Sequence, residues 1–301
     1  MMHQAVRDTL KKGLMPLLRP LLGILPVRAL ESAIKAKRSL LDYLPPGRCF
    51  VFKKYLGDIA VNIDTTYGIE RQWLTGSYDP DILAAIDFCV KPGDICLDIG
   101  ANAGAVSFAL AKKTGAGGRV YALEPGRTVF NRLCANIALN PAYRQIIMPF
   151  WLGISDRQET RTWIEDPRNP GNASFVMLEN GNQERLTLMA LDDFVRSQGI
   201  DRINFIKIDV EGMEYEVITG GLESIGRFKP VLYYETGFFE KGFWAELKRG
   251  DKIFLKIERM LTDLGYSFHK ITPGGLQETR YPDLAFNTLA LPRAPQRRHI
   301  D

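Results

Sequence analysis

The chain has 301 residues, 46% hydrophobic and 25% charged, with a net charge of +4. That length suits one sizeable α/β domain with an appendage, and the ordinary composition excludes a collagen-like, coiled-coil or disordered chain. Cys49, Cys89, Cys96 and Cys134 show no C-x-x-C spacing, which reads as reduced core cysteines of a cytosolic protein, and the three histidines are too scattered for a histidine-rich metal site.

The charge is unevenly placed. Residues 1–54 hold eleven Lys and Arg against three Asp and Glu, while the remainder holds 28 basic and 32 acidic residues. Residues 1–46 therefore read as a basic, apolar-rich helical arm. Within it, Leu14 to Val27 is apolar but too short to span a bilayer, and Arg19 and three prolines interrupt it. Arg19 and the lack of a small-x-small cleavage site also argue against a signal peptide. Two readings stay open: a peripheral segment lying on an anionic membrane surface, and leucines that pack on the following domain or on a partner subunit.

Residues 47–90 lead into the core. Cys49 to Asp64 alternates as a β-hairpin would, with Gly57 and Asp58 near its turn. Asp79 to Val90 fits a helix with Pro80 at its start and Ile82, Leu83, Ile86 and Val90 on one face. From residue 91 to 292 strands and helices alternate: strand 95–99, helix 104–113, strand 119–124, helix 126–139, strand 145–151. An insertion over 163–185, rich in Pro, Gly and Asn, reads as a loop or hairpin longer than ordinary connections, the length of a lid or binding element. Strand 203–209, helix 212–222 and strand 230–235 resume the pattern. A helix over 253–264 and two late strands, 266–271 and 284–291, complete it. Residues 293–301 read as a polar tail. Such alternation implies a mostly parallel sheet with helices on both faces, and a ligand crevice at the carboxyl ends of its strands.

The most informative run is Asp94-Ile-Cys-Leu-Asp-Ile-Gly-Ala-Asn-Ala-Gly104. A short apolar strand carrying Asp98 breaks into a turn of small residues and then a helix, an arrangement that lets a ligand approach backbone N–H groups at a helix N-terminus. The third glycine of a dinucleotide fingerprint is missing, and so is the Lys-Ser or Lys-Thr pair of a nucleotide P-loop. An acid ahead of the turn suits a cationic ligand better than a pyrophosphate. The next strand ends at Glu124-Pro125, where this architecture binds ribose hydroxyls. Asp98, Gly100, Ala101, Asn102, Gly104, Glu124 and Pro125 thus read as a site for a nucleoside with a cationic, phosphate-free tail, and S-adenosylmethionine fits.

Three stretches then resemble one family. Val90 to Gly104 resembles the first motif of FkbM methyltransferases, Ile206-Lys-Ile-Asp-Val-Glu-Gly-Met-Glu214 resembles their signature at the end of the fourth strand with Leu191-Asp192 upstream, and Pro230-Val-Leu-Tyr-Tyr-Glu235 resembles their fifth strand. The resemblance implies a Rossmann-like sheet of seven strands, the last one antiparallel, S-adenosyl-L-methionine as cofactor, and O-methylation of a hydroxyl on a sugar, glycan or other small metabolite. Gly153 joins the expected cofactor contacts.

Methyl transfer to a hydroxyl needs alignment, exclusion of water and a base. Asp209, Glu211 and Glu235, all at strand ends, are the expected catalytic acids. Helix capping by Asp209 and dipole complementation by Glu211 are the plain alternatives. The same acids could hold Mg²⁺, but no decisive ligand set is present, and a metal-free base is expected. Lys207, inside an apolar strand, needs a carboxylate partner and is also a candidate acceptor contact with Asn172 and Ser174. Trp163, Phe175, Phe238 and Phe239 offer stacking surfaces or core filling. Competing functions are methylation of nucleic acid or protein, and a membrane-docked scaffold without turnover. The net acidic catalytic part and the absence of an Asn-Pro-Pro-Tyr-like run argue against nucleic acid.

Overall fold

A computed structural model describes residues 20–36, 38–76, 78–165, 182–236, 250–272, 274–280 and 287–293. The arm enters as a helical turn over 20–24, then α1 (Val27–Ala36) and a 3₁₀ turn (Arg38–Tyr43). Its apolar residues at helical spacing are what fix it: Leu22, Leu30, Ile34, Leu41 and Leu44 are buried in the same core as the domain. Arg48 ties it further by donating to the carbonyl of Leu22 at 2.9 Å and to that of Leu25, and Lys54 pairs with Glu31 at 2.8 Å. For residues 22–44, then, the leucines pack on the domain. Leu21 and Ile24 remain exposed. No helix among the described residues is long and apolar enough to cross a membrane.

The hairpin β1 (Cys49–Tyr55) and β2 (Ile59–Asp64) is followed by the short helix α2 (Gly68–Trp73) and by α3 (Pro80–Cys89). Pro80 stands in the first turn of α3, and Asp79 caps it by accepting from the Asp81 amide. Glu70, on α2, is buried and accepts two guanidinium hydrogen bonds from Arg132, which docks this segment onto the core.

The core then runs β3 (Ile95–Ile99), α4 (Ala105–Thr114), β4 (Arg119–Leu123), α5 (Arg127–Ala138) and β5 (Ile147–Phe150). Next come β6 (Gly153–Ser155), β7 (Glu159–Glu165), β8 (Asn182–Ala190), α6 (Leu191–Ser197), β9 (Phe205–Ile208), α7 (Glu214–Thr219) and α8 (Leu222–Phe228). β10 (Val231–Glu235), α9 (Gly250–Asp263), β11 (Tyr266–Thr272), β12 (Gly275–Glu278) and β13 (Asn287–Pro292) end the described chain.

The main sheet has the order β12-β11-β13-β10-β9-β3-β4-β5. The strands β10, β9, β3, β4 and β5 are parallel, and the last strand, β13, runs antiparallel between β10 and β11. The strand order reverses at β3, so the crevice opens where β3 and β9 end. The sheet has eight strands, not the expected seven. The extra one, β12, folds back on β11 through a turn that puts Gly275 at φ +110°. Apolar layers cover both faces, one under α3, α4, α5 and the hairpin, the other under α6, α8 and α9.

One local reading needs correction. The expected helix 212–222 is two helices, α7 and α8, broken at Gly220-Gly221. A Cβ at Gly220 would lie 2.1 Å from the Ser155 carbonyl oxygen, and one at Gly221 2.5 Å from Leu191, so the chain passes too close to its neighbours for any other residue. Asp192 caps the second helix by accepting from the amides of Glu223 and Ser224. The Leu191-Asp192 pair is therefore a packing and capping device. After β5, strands β6, β7 and β8 form a separate three-stranded sheet, and the antiparallel β7 and β8 flank the insertion as the two arms of a hairpin. Residues 166–181, which include Asn172, Ser174 and Phe175, lie outside the described residues, as do Phe238 and Phe239.

Candidate active site

The turn after β3 is built by internal hydrogen bonds. Gly100 and Ala101 donate to the Leu123 carbonyl, Asn102 donates to Glu124 Oε2 at 2.9 Å, Ala103 to the Asn102 side chain, and Gly104 to the Ala101 carbonyl. Each amide from Gly100 to Gly104 thus has a partner within the chain. These bonds fix the shape of the turn that the sequence reading placed against a ligand. Gly100 holds φ +79°, and a Cβ there would sit 1.8 Å from the Asp209 carbonyl oxygen. Gly100→Ala is therefore expected to destabilise the protein by about 2–5 kcal/mol through left-handed strain plus overpacking, read as a lowered midpoint in urea unfolding.

Glu124 is buried at the end of β4. Its second oxygen accepts from the Gly126 amide at 2.8 Å, just ahead of α5. Burial, opposed by these two backbone hydrogen bonds, raises its pKa to about 7.

Asp98 and Lys207 are direct neighbours across β3 and β9 and therefore emerge on the same face. Asp98 is fully buried and accepts from Ser107 Oγ at 2.6 Å. The Lys207 ammonium donates to the Gly100 carbonyl at 2.7 Å and lies 3.4 Å from both Asp98 and Asp209. Burial alone would lower the lysine's pKa, but Asp209 and Asp98 outweigh it and raise it. Lys207 is thus a permanent cation that joins the glycine turn to Asp209.

The acids at the end of β9 and β10 differ in state. The Asp209 side chain is 42% exposed, which leaves it open to a ligand. Helix α7 is capped at Met213, not at Asp209. Glu214 serves that turn instead, accepting from the amides of Val210 and Gly212. Glu211 sits at φ +53°, a strained conformation for a side chain of its size. Burial and then Asp209 raise the Glu211 pKa to about 7. Glu235 is raised further, to about 9, by burial and then by Asp209, with which it shares a hydrogen bond. Glu235 therefore holds its proton more tightly than an ordinary carboxylate does.

One cleft gathers Gly100, Ala101, Asn102, Glu124, Pro125, Gly153, Lys207, Asp209 and Glu211. Asp98, Gly104 and Glu235 stand behind its wall. Trp163 also lines it. Sequence reading missed Ile69, Trp73 and Tyr78, which close the cleft from the segment before the sheet. The turn before Pro80 was their only signal, and it carries no mark of chemistry.

The model of the methyltransferase FkbM domain matches residues 98–268. The chain belongs to the FkbM methyltransferase family. The FkbM domain is an S-adenosylmethionine-dependent methyltransferase domain, and the cleft suits that cofactor, with Glu124 available to hydroxyls, carboxylates available to a cation, and apolar Pro125, Val129, Leu152 and Ile154 available to a base. Among proteins similar to this FkbM chain, hexuronic acid methyltransferase AglP of Haloferax volcanii is 26% identical over 160 residues, covering 52% of this chain and 62% of that protein. Methyltransferase sdnD of Sordaria araneosa is 29% identical over 154 residues, covering 41% and 59%. The matched stretches thus span about three fifths of those relatives. The crystal structure of methyltransferase FkbM from Methylobacillus flagellatus superimposes with a TM-score of 0.43 at 17% identity, covering 74% of this chain and 52% of that one.

Proposed function

We propose that the protein methylates a hydroxyl of a sugar or glycan, with Asp209 as the base. The observation that carries this reading is the pairing of a half-exposed Asp209 with a hydrogen-bonded Glu235 and a cationic Lys207 at the mouth of the cleft. S-adenosylmethionine, when bound, supplies an electrophilic methyl group. The residues of this chain do the rest. Glu124 takes the ribose hydroxyls, Lys207 pairs with Asp209 and orients it, and Asp209 receives the proton that the acceptor hydroxyl loses. Similarity to a hexuronic acid methyltransferase supports a sugar acceptor. Calorimetric titration with S-adenosylhomocysteine, followed by methyl transfer to a panel of sugars, tests it; binding without transfer to any hydroxylated acceptor would sink the sugar reading.

A second reading extends the acceptor to a lipid-linked glycan. It is favoured by Leu21 and Ile24, exposed beside the exposed Arg28 on the arm. Flotation with anionic vesicles is expected to carry the wild type and to lose Ile24→Glu. Equal flotation of both would remove this reading.

The acids also set a pH dependence of stability. Glu124, Glu211 and Glu214 have folded-state pKa values of about 7 and Glu235 of about 9, all above their unfolded value. Their protonation favours the folded state below that unfolded value, and the benefit is lost as pH rises through 7 and 9. Stability is therefore expected to fall from pH 5 to 9. Each retained proton contributes a slope of up to about 1.4 kcal/mol per pH unit. Glu235→Gln should flatten the segment between pH 7 and 9 in urea unfolding, and an unchanged slope would reject its raised pKa.

A further inference from the structure

We propose that Trp73 and Tyr78 form the wall that positions the acceptor ring, an inference that rests on the sugar-hydroxyl reading above. Both precede residue 98, where the family match begins. The wall is thus contributed by the segment that docks on the core through Glu70 and Arg132, not by the cofactor-binding unit.

Trp73 ends α2 and lines the cleft. It is fully buried, and its ring stacks on Tyr55 with centroids 5.3 Å apart. Its indole N–H has no hydrogen-bond partner among the described residues. A buried donor without a partner is costly, and the side chain that carries it is part of the cleft lining. Tyr78 lines the same cleft within electrostatic reach of Asp209 and Glu211. Burial and the Asp209 carboxylate raise its pKa, so the phenol keeps its proton and stays a donor. The backbone beside it is held in place: Asp79 is at φ +30°, its carboxylate caps α3, and Pro80 follows at once.

Two aromatic rings that each present a hydrogen-bond donor, next to a carboxylate base, match a ring with several hydroxyls and apolar C–H faces. The two residues act as positioning residues: they orient the ring so that one hydroxyl reaches Asp209.

The experiment compares wild type, Tyr78→Phe and Trp73→Phe. Both variants keep an aromatic ring and remove one donor. Acceptor KM and kcat are measured with methyl glucoside and methyl glucuronide, and S-adenosylhomocysteine affinity by calorimetry. The expected result is a KM increase of roughly fivefold to tenfold in each variant, the loss of one hydrogen bond, with S-adenosylhomocysteine affinity within twofold of wild type. Unchanged KM in both variants overturns the wall while leaving the sugar reading intact. Equal weakening of S-adenosylhomocysteine binding places these residues at the cofactor and also overturns it. Failure of wild type to methylate either glycoside, with S-adenosylhomocysteine still bound, overturns the sugar reading and this inference together.

Discussion

Replacing Asp209 with Asn is expected to lower kcat by about 10²–10⁴ while S-adenosylhomocysteine still binds within a few-fold of wild type. The size is that of a lost general base. Binding survives because Asp209 does not build the glycine turn through its side chain: the turn is held by Leu123, Glu124 and its own residues. Lys207 also keeps two partners, the Gly100 carbonyl and Asp98. The substitution removes a negative charge beside Glu235, so the Glu235 pKa should fall from about 9 toward the ordinary carboxylate range. That fall is readable by carboxyl NMR and separates loss of a charge from loss of the fold. Turnover near wild type would reject Asp209 as the base.

Glu124→Ala should weaken S-adenosylhomocysteine binding by roughly 100-fold or more. Two hydrogen bonds from hydroxyls to a carboxylate account for that size at about 1.5–3 kcal/mol each. The carboxylate has a second task, because it accepts from the amides of Asn102 and Gly126 and so fixes the turn against the start of α5. Some stability is lost with it, and a thermal melt must show the variant folded before the affinity is read. Glu124→Gln keeps the volume but turns one acceptor into a donor facing an amide, so it should also bind poorly. A pH series adds an independent check. With a pKa of about 7 in the free protein, Glu124 is ionised only above neutrality. Affinity should rise as pH passes through 7, with proton release on binding. Wild-type affinity in Glu124→Ala would remove the carboxylate from the cofactor site.

The legibility of this protein follows from the range over which each feature is set. The turn from Asp98 to Gly104 and the acid at Glu124 were visible because a strand, a small-residue turn and a helix must be contiguous. The antiparallel last strand and the family came from Ile206 to Glu214 and Pro230 to Glu235, also short contiguous runs. The break at Gly220-Gly221 was not visible, because the close approaches of Ser155 and Leu191 that impose it come from distant segments. The extra strand β12 was missed because a four-residue strand at a sheet edge has too little periodicity to register.

By itself, the sequence determined the class of the fold, the family and the acids that could serve the chemistry, since these reside in local patterns of residue type. Only the tertiary structure decided what each acid is. Lys207 became a permanent cation because the register of β3 and β9 sets it beside Asp98. Glu235 acquired a raised pKa because burial and the charge of Asp209 both oppose its ionisation. Trp73 and Tyr78 reached the cleft because a segment upstream of the family match folds over the strand ends. Charge state and proximity are properties of the assembled strands, and no window of sequence contains them.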